Sequence, residues 1–332
     1  MRTNTNRLRE LAKSFLQKLR LHYLAYKDIR RFSRHAAFSK FDDEYRQVCA
    51  RIMYNVHAIE KGLSRDVDMR PGFGKAAFAD LNDALVVYLR CGFPEDSYSY
   101  LQGRSILHRY IEAHGRDMDP AQTTLAVVDR SLRERGKHFS FAGTKVVRRE
   151  DKLSNCSAGF YDLAQGRSSI REFSGGPIDM DKVERCLNNA GKTPSVCNRQ
   201  GWNVYVVTDE AKKRELLRLQ RGFKGYPTLP ECVLVIAVTN NTFLSPVERN
   251  EAFVDGGLFS MSVLYGLEYE GLAAVPLNAM MNSRDERDIR ALVSIDESEQ
   301  IIMFIAVGAF KAETTVPISD RKPLSEYVRY VQ

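Results

Sequence analysis

Apolar residues recur on a helical period through the first part of the chain and then give way to strand-like runs. Leu8, Leu11, Ala12, Phe15, Leu16 and Leu19 fall at i, i+3, i+4, i+7, i+8 and i+11, one face of a helix, with Lys13, Lys18 and Arg20 off the stripe. Tyr45, Val48, Ile52, Val56 and Ile59 predict a second helix within 40–65, and Phe78, Leu81, Leu85 and Leu89 a third. Tyr100, Ile106 and Tyr110 continue the helical spacing, while Arg70-Pro71-Gly72-Phe73-Gly74 reads as a loop. No strong two-residue alternation precedes position 140, so residues 1–150 are expected to be mainly helical, with a charged linker over 148–156.

Beyond residue 160 the texture changes. The pattern predicts helices over 179–189, 210–219, 246–270 and 284–293, and strands over 202–208 (WNVYVVT), 232–239 (CVLVIAVT) and 301–307. Helices alternating with strands predict a sheet covered by helices, hence an α+β fold with a mainly helical N-terminal domain over 1–150 and a second domain over 157–332. The longest apolar runs are far shorter than the ~20 residues that span a bilayer. No internal repeat is visible.

Composition adds three constraints. Of 332 residues, 44% are apolar and 27% charged, an ordinary globular balance. The net charge of +7 is concentrated: residues 1–35 hold ten Lys/Arg against Glu10 and Asp28, which leaves the rest close to neutral. The basic character therefore belongs to one segment and does not describe a nucleic-acid-binding surface. That segment reads either as a helix docked on its own domain or on a partner subunit, or as a helix lying on an anionic membrane surface. Six cysteines at 49, 91, 156, 186, 197 and 232 form no CxxC pair and fit a reducing cytoplasm, and no apolar signal region follows the N-terminus. All six histidines (22, 35, 57, 108, 114, 138) precede residue 150, so chemistry in the C-terminal half uses no His base, His-containing triad or His metal ligand.

Two phosphate motifs fail. Gly191-Lys192-Thr193 lacks the earlier P-loop glycine, since position 186 is Cys, and Gly72-Phe73-Gly74 has Ala77 where a third glycine belongs. Four other segments carry more. Gly166-Arg167-Ser168-Ser169-Ile170-Arg171-Glu172-Phe173 sets two arginines four apart with hydroxyls between them; on a helical turn the two would share a side, and guanidinium forks with Ser donors suit phosphate oxygens, although a solvated surface turn has the same composition. Pro194-Ser195-Val196-Cys197-Asn198-Arg199-Gln200-Gly201-Trp202 offers small residues for close approach and amides suited to a ring edge, or else a polar loop with a packed Trp. Gly271-Leu272-Ala273-Ala274-Val275-Pro276-Leu277-Asn278 and Ser319-Asp320-Arg321-Lys322-Pro323 complete the set.

In this order the four segments resemble the nitroreductase family of FMN-dependent oxidoreductases, over about residues 157–332. The family's RRS-[IV]-R-x-F corresponds to Arg167–Phe173 with Ser168 in place of the second Arg. Its PSxxNxQPW corresponds to Pro194, Ser195, Asn198, Gln200 and Trp202, with Gly201 where Pro is usual. Its GL-x-A-V-P segment matches 271–276, and its late basic residue before a Pro corresponds to Arg321. Asp255-Gly256-Gly257 is also family-like.

The resemblance implies a three-layer α/β/α sandwich, a homodimer and FMN at the dimer interface. Arg167, Ser168, Ser169, Arg171 and Arg321 are then expected on the phosphate. Pro194, Ser195, Asn198 and Gln200 come from the Pro-Ser loop. Pro276, Leu277 and Asn278 lie near flavin N5, their N–H groups following a Val-Pro turn. Gln220 or Lys224 stands beside the pyrimidine. It also implies hydride transfer from NAD(P)H to flavin N5 and onward to a small-molecule substrate by a ping-pong scheme, with the flavin rather than a side chain carrying the chemistry.

The segment from His57 to Leu63, with Arg70–Gly74, resembles one found ahead of nitroreductase-like proteins of surface-polysaccharide loci. His57 and Glu60 share a helix face, but two ligands do not make a metal site, and no metal is expected; a helix-capping or core hydrogen bond accounts for the pair better. Alternatively His57, Glu60, Lys61 and Arg70, with Lys224, select an anionic or sugar-like substrate. The remaining rival to an enzyme is a non-catalytic flavin-fold scaffold in a polysaccharide-related or membrane-surface assembly.

Overall fold

The computed structural model describes residues 2–35, 37, 39–65, 73–114, 142–156, 158–244 and 246–331. By compactness they fall into two units: residues 1–30 with 147–314, and 31–146 with 315–332. This division differs at both ends from the expected 1–150 and 157–332.

In the second unit the helical spacings form α2 (Tyr45–Leu63), α3 (Lys75–Arg90) and α4 (Tyr98–His114). Val48, Ile52, Val56 and Ile59 of α2 meet Phe78, Leu81 and Leu85 of α3 and Tyr100, Ile106 and Tyr110 of α4 in one core. Phe78 stacks on Tyr110, with ring centroids 4.8 Å apart, and Tyr88 on Tyr100 at 5.1 Å. Gly103 permits close approach, because a Cβ there would lie 2.9 Å from Ile52 Cγ2. The Tyr98 hydroxyl donates to the Asp320 carbonyl at 2.8 Å.

The first unit begins with α1 (Arg2–His35), whose first thirty residues it includes. β1 (Thr144–Arg148) and β6 (Glu313–Pro317), whose residues are divided between the two units, form a two-stranded ladder. The charged stretch expected to be a linker is instead the end of β1 followed by α5 (Arg149–Leu153), in which Lys152 is buried. Next come α6 (Phe160–Gly166) and α7 (Met180–Ala190), the latter capped by the Asp179 carboxylate accepting from the Asp181 N–H.

The central sheet has strand order β2-β3-β5-β4 and is wholly antiparallel: β2 (Trp202–Val207), β3 (Cys232–Thr239), β4 (Ala273–Asn278) and β5 (Glu299–Gly308). Both faces of β3 are buried, which explains its continuous apolar run. Cys232, Leu234 and Ile236 lie with Ile305 and Val307 in one core with α7 and α9 (Glu251–Tyr269), through Val183, Cys186, Phe259, Val263 and Leu267. The opposite face, with Val233, Val235, Phe304 and Ala306, is equally buried. α8 (Glu210–Gln220) and α10 (Ser283–Val293) pack on each other and carry buried Leu216, Leu217 and Ile289. They are tied to the strands by Gln220 donating to the Asn278 carbonyl and Arg290 to that of Glu299, at 2.9 and 2.8 Å. The fold is therefore α+β with a helical N-terminal region. The long helix expected from residue 246 is a short turn (Pro246–Glu248) followed by α9.

Candidate functional site

The arginine segment starts at a helix exit: α6 ends at Gly166 and Arg167 is its C-terminal cap. Beyond it Ile170, Glu172 and Phe173 are buried, and Arg167, Ser168, Ser169 and Arg171 are half-buried. The segment is fixed at several points. Ile170 donates its N–H to the Ala274 carbonyl at 3.0 Å, Glu172 pairs with Lys311 at 2.9 Å, and Phe173 bridges to Phe310.

Beneath it sits a network that the sequence did not reveal. Lys152 Nζ lies 2.5 Å from Glu268 Oε1, with both side chains 3% exposed, and donates to the Gly166 carbonyl at 2.6 Å and to Ser168 Oγ at 3.2 Å. Asn155 donates to the same carboxylate at 2.7 Å. Ser168, where the motif ordinarily carries Arg, thus engages the neighbouring ammonium.

Arg171 is the distinctive charge of the segment. Burial lowers its guanidinium pKa below the ordinary arginine value, with Tyr226 opposing the shift, and among the described residues no hydrogen bond or ion pair engages it. A desolvated cation without an acidic partner is an anion site in waiting.

The Pro-Ser loop is built for a tight turn. Cys197, Asn198 and Gln200 adopt φ of 49°, 54° and 49°, the left-handed region. The turn is held by Ser195 Oγ accepting the Gln200 N–H at 2.9 Å, by Gln200 Nε2 donating to Asn198, and by the Asp255 carboxylate accepting the Val196 N–H at 3.1 Å. Arg199 pairs with Glu248 at 3.1 Å, which raises its pKa. Gly201 is explained by packing: a Cβ there would lie 2.9 Å from Thr242 Oγ1. Trp202 stacks on Phe259 with centroids 4.8 Å apart.

Pro276, Leu277 and Asn278 lie in β4 rather than after a turn. As the outermost strand, β4 tolerates a proline that lacks a ladder donor. Gln220 is committed structurally, donating to the Asn278 carbonyl and accepting the Gly222 N–H at 2.7 Å. Lys224 is exposed in the turn beyond α8.

Arg321 belongs to the second unit, where it donates to the Ser319 carbonyl. His57, in the same unit, is half-exposed and 3.8 Å from Glu60; the buried Glu60 also accepts the Gly143 N–H at 3.0 Å, as a core hydrogen bond would. Arg70 lies outside the described residues. Among the described residues no group of three His, Cys, Asp or Glu is placed to hold a metal ion.

Residues 164–228 match the family model described as the Nitroreductase family. An iodotyrosine deiodinase of Nematostella vectensis is 22% identical over 253 residues, covering 65% of this chain and 94% of its own. A Bacillus subtilis protein provisionally named an NAD(P)H nitroreductase is 21% identical, covering 52% of this chain and 100% of its own. A solved nitroreductase-family structure from Clostridium difficile, 20% identical, covers 53% of this chain and 99% of its own at a TM-score of 0.45. The C-terminal part of the chain is nitroreductase-like, preceded by a helical extension.

Proposed function

We propose that the nitroreductase-like part of the chain binds FMN at a homodimer interface and acts as an NAD(P)H-dependent oxidoreductase. The observation that supports this reading best is Arg171, a desolvated guanidinium with no acidic partner among the described residues, four residues beyond Arg167 and half-buried like it. Such a cation fits the terminal phosphate of FMN. Arg167, Ser169 and Arg171 hold that phosphate, with Ser168 as a further donor. Pro194, Ser195, Asn198 and Gln200 shape the approach from the partner copy, and the β4 backbone at Pro276–Asn278 faces the ring. Bound FMN would supply the redox chemistry, taking hydride from NADH or NADPH at N5 and delivering electrons to a small-molecule acceptor. The chain's own part is to orient the cofactor and neutralise its phosphate.

The dimer is supported by an uncovered apolar strip. Phe253, Val254 and Leu258 on α9 and Phe160 and Tyr161 on α6 are all exposed, and Phe160 rests against Tyr265 at 5.7 Å. Relatives named for nitro-group reduction and for deiodination fit one description, electron delivery to a small aromatic acceptor.

Purified protein is expected to be yellow, and anaerobic NADH or NADPH should bleach it. Arg171→Ala should weaken FMN binding by roughly tenfold or more, the equivalent of one charge-assisted phosphate contact. Equilibrium titration of apoprotein with FMN measures this. A preparation that takes up no FMN sinks the proposal, and one that binds FMN but resists both nicotinamides identifies a scaffold.

A further inference from the structure

The basic N-terminal segment is one long helix, and its apolar side is bare. Leu11, Phe15, Leu16, Leu19, Tyr26 and Ile29 of α1 are all exposed, by 52–66%. At about 100° per residue these positions span an arc of about 140°, interrupted between Leu11 and Ile29 by His22, with Arg30 falling inside it just beyond. The rims of the arc are cationic: Arg7 and Lys18 border it beside Leu11, and Arg9 and Arg20 border it beside Leu16, all four exposed. Residues 1–35 carry ten Lys/Arg against two acids.

We propose that α1 docks on an anionic phospholipid bilayer, lying in the interface with this arc among the acyl chains and its cationic rims on the headgroups. A broad apolar arc bordered by Lys and Arg is the geometry of an interfacial helix. Among the described residues no helix is long and apolar enough to cross a membrane, so α1 lies on the surface.

The competing occupant, α1 of a second copy, fits less well. Its longest seven-residue seam (Leu8, Ala12, Phe15, Leu19, His22, Tyr26, Ile29) is interrupted at His22, and two such helices would bring two strongly basic segments together, whereas acidic lipid supplies the opposite charge.

The test uses the full-length protein floated with vesicles of phosphatidylcholine alone or with about one-third phosphatidylserine. Binding to the acidic vesicles should be roughly tenfold stronger and should weaken with added salt. Leu16→Glu/Leu19→Glu should abolish it. Arg9→Glu/Arg20→Glu should reduce it by roughly tenfold, with circular dichroism and oligomeric state unchanged in both variants, since every altered side chain is exposed. The proposal is overturned if wild-type protein ignores acidic vesicles. It is equally overturned if the leucine variant still binds them, or if that variant changes the oligomeric state while lipid binding persists.

Discussion

At the scale of single residues, the two departures from the nitroreductase motifs have physical reasons in this chain. Ser168 stands where an arginine is usual because the space beside it already holds a cation, Lys152, whose ammonium its hydroxyl meets at 3.2 Å. Gly201 stands where proline is usual because Thr242, held by donating to the Thr239 carbonyl at 2.9 Å, leaves no room for a Cβ. Gly201→Ala should therefore destabilise the protein by about 1–2 kcal/mol through overpacking. Thr242→Ala in the same chain should restore part of that loss. A urea-denaturation double-mutant cycle measures the coupling; strictly additive effects would show that Thr242 is not the obstacle. The residue types that could hold a phosphate were readable in the sequence. Their setting was not: Arg167 caps the end of α6, and Arg171 lies outside any helix, beside buried Ile170 and Glu172.

At the scale of elements, legibility followed burial. The α2, α3 and α4 stripes are visible in the sequence because their apolar positions repeat every three or four residues, and the β3 and β5 runs because burial on both faces leaves continuous apolar sequence. α5 was hidden because its decisive residue is a lysine. A charged side chain reads as solvated, and only the fold brings Glu268, far along the chain, to within 2.5 Å of it. The Val-Pro pair likewise reads as a turn until β4 is seen to be an outermost strand. The ion pair anchors α5 to α9 and, through the Gly166 carbonyl, to the start of the arginine segment. Lys152→Met would strand a buried carboxylate, so it should cost about 3–5 kcal/mol in chemical denaturation. Lys152→Met/Glu268→Gln should recover most of the loss, because the remaining amide can keep its bond with Asn155. If the double variant is no more stable than the single one, the network is held by packing rather than by charge.

At the scale of the whole molecule, the groups that set alkaline tolerance are two buried thiols and two half-buried phenols. Burial pushes the thiols of Cys186 and Cys232 up to about 12 from 9.0, and the phenols of Tyr98 and Tyr205 to about 12. Desolvation is the first cause in each case; Glu299 adds to it at Tyr205 and Asp320 at Tyr98. A folded-state pKa raised above the unfolded value gives a stabilisation that is complete below the unfolded pKa and lost as pH climbs towards the folded one, because the unfolded chain releases its proton first. The thiols therefore act first, from about pH 9, and the phenols from about pH 10. Each thiol should contribute a loss of about 1.4 kcal/mol per pH unit in that window. The urea midpoint should be level between pH 7 and 8 and fall steadily from 9 to 11. Cys186→Ala should be less stable than wild type at pH 8, yet lose less between pH 8 and 10, since the titrating thiol is gone. Parallel curves for the two proteins would show that Cys186 ionises as freely in the fold as out of it, which its position in the core between α7 and α9 forbids.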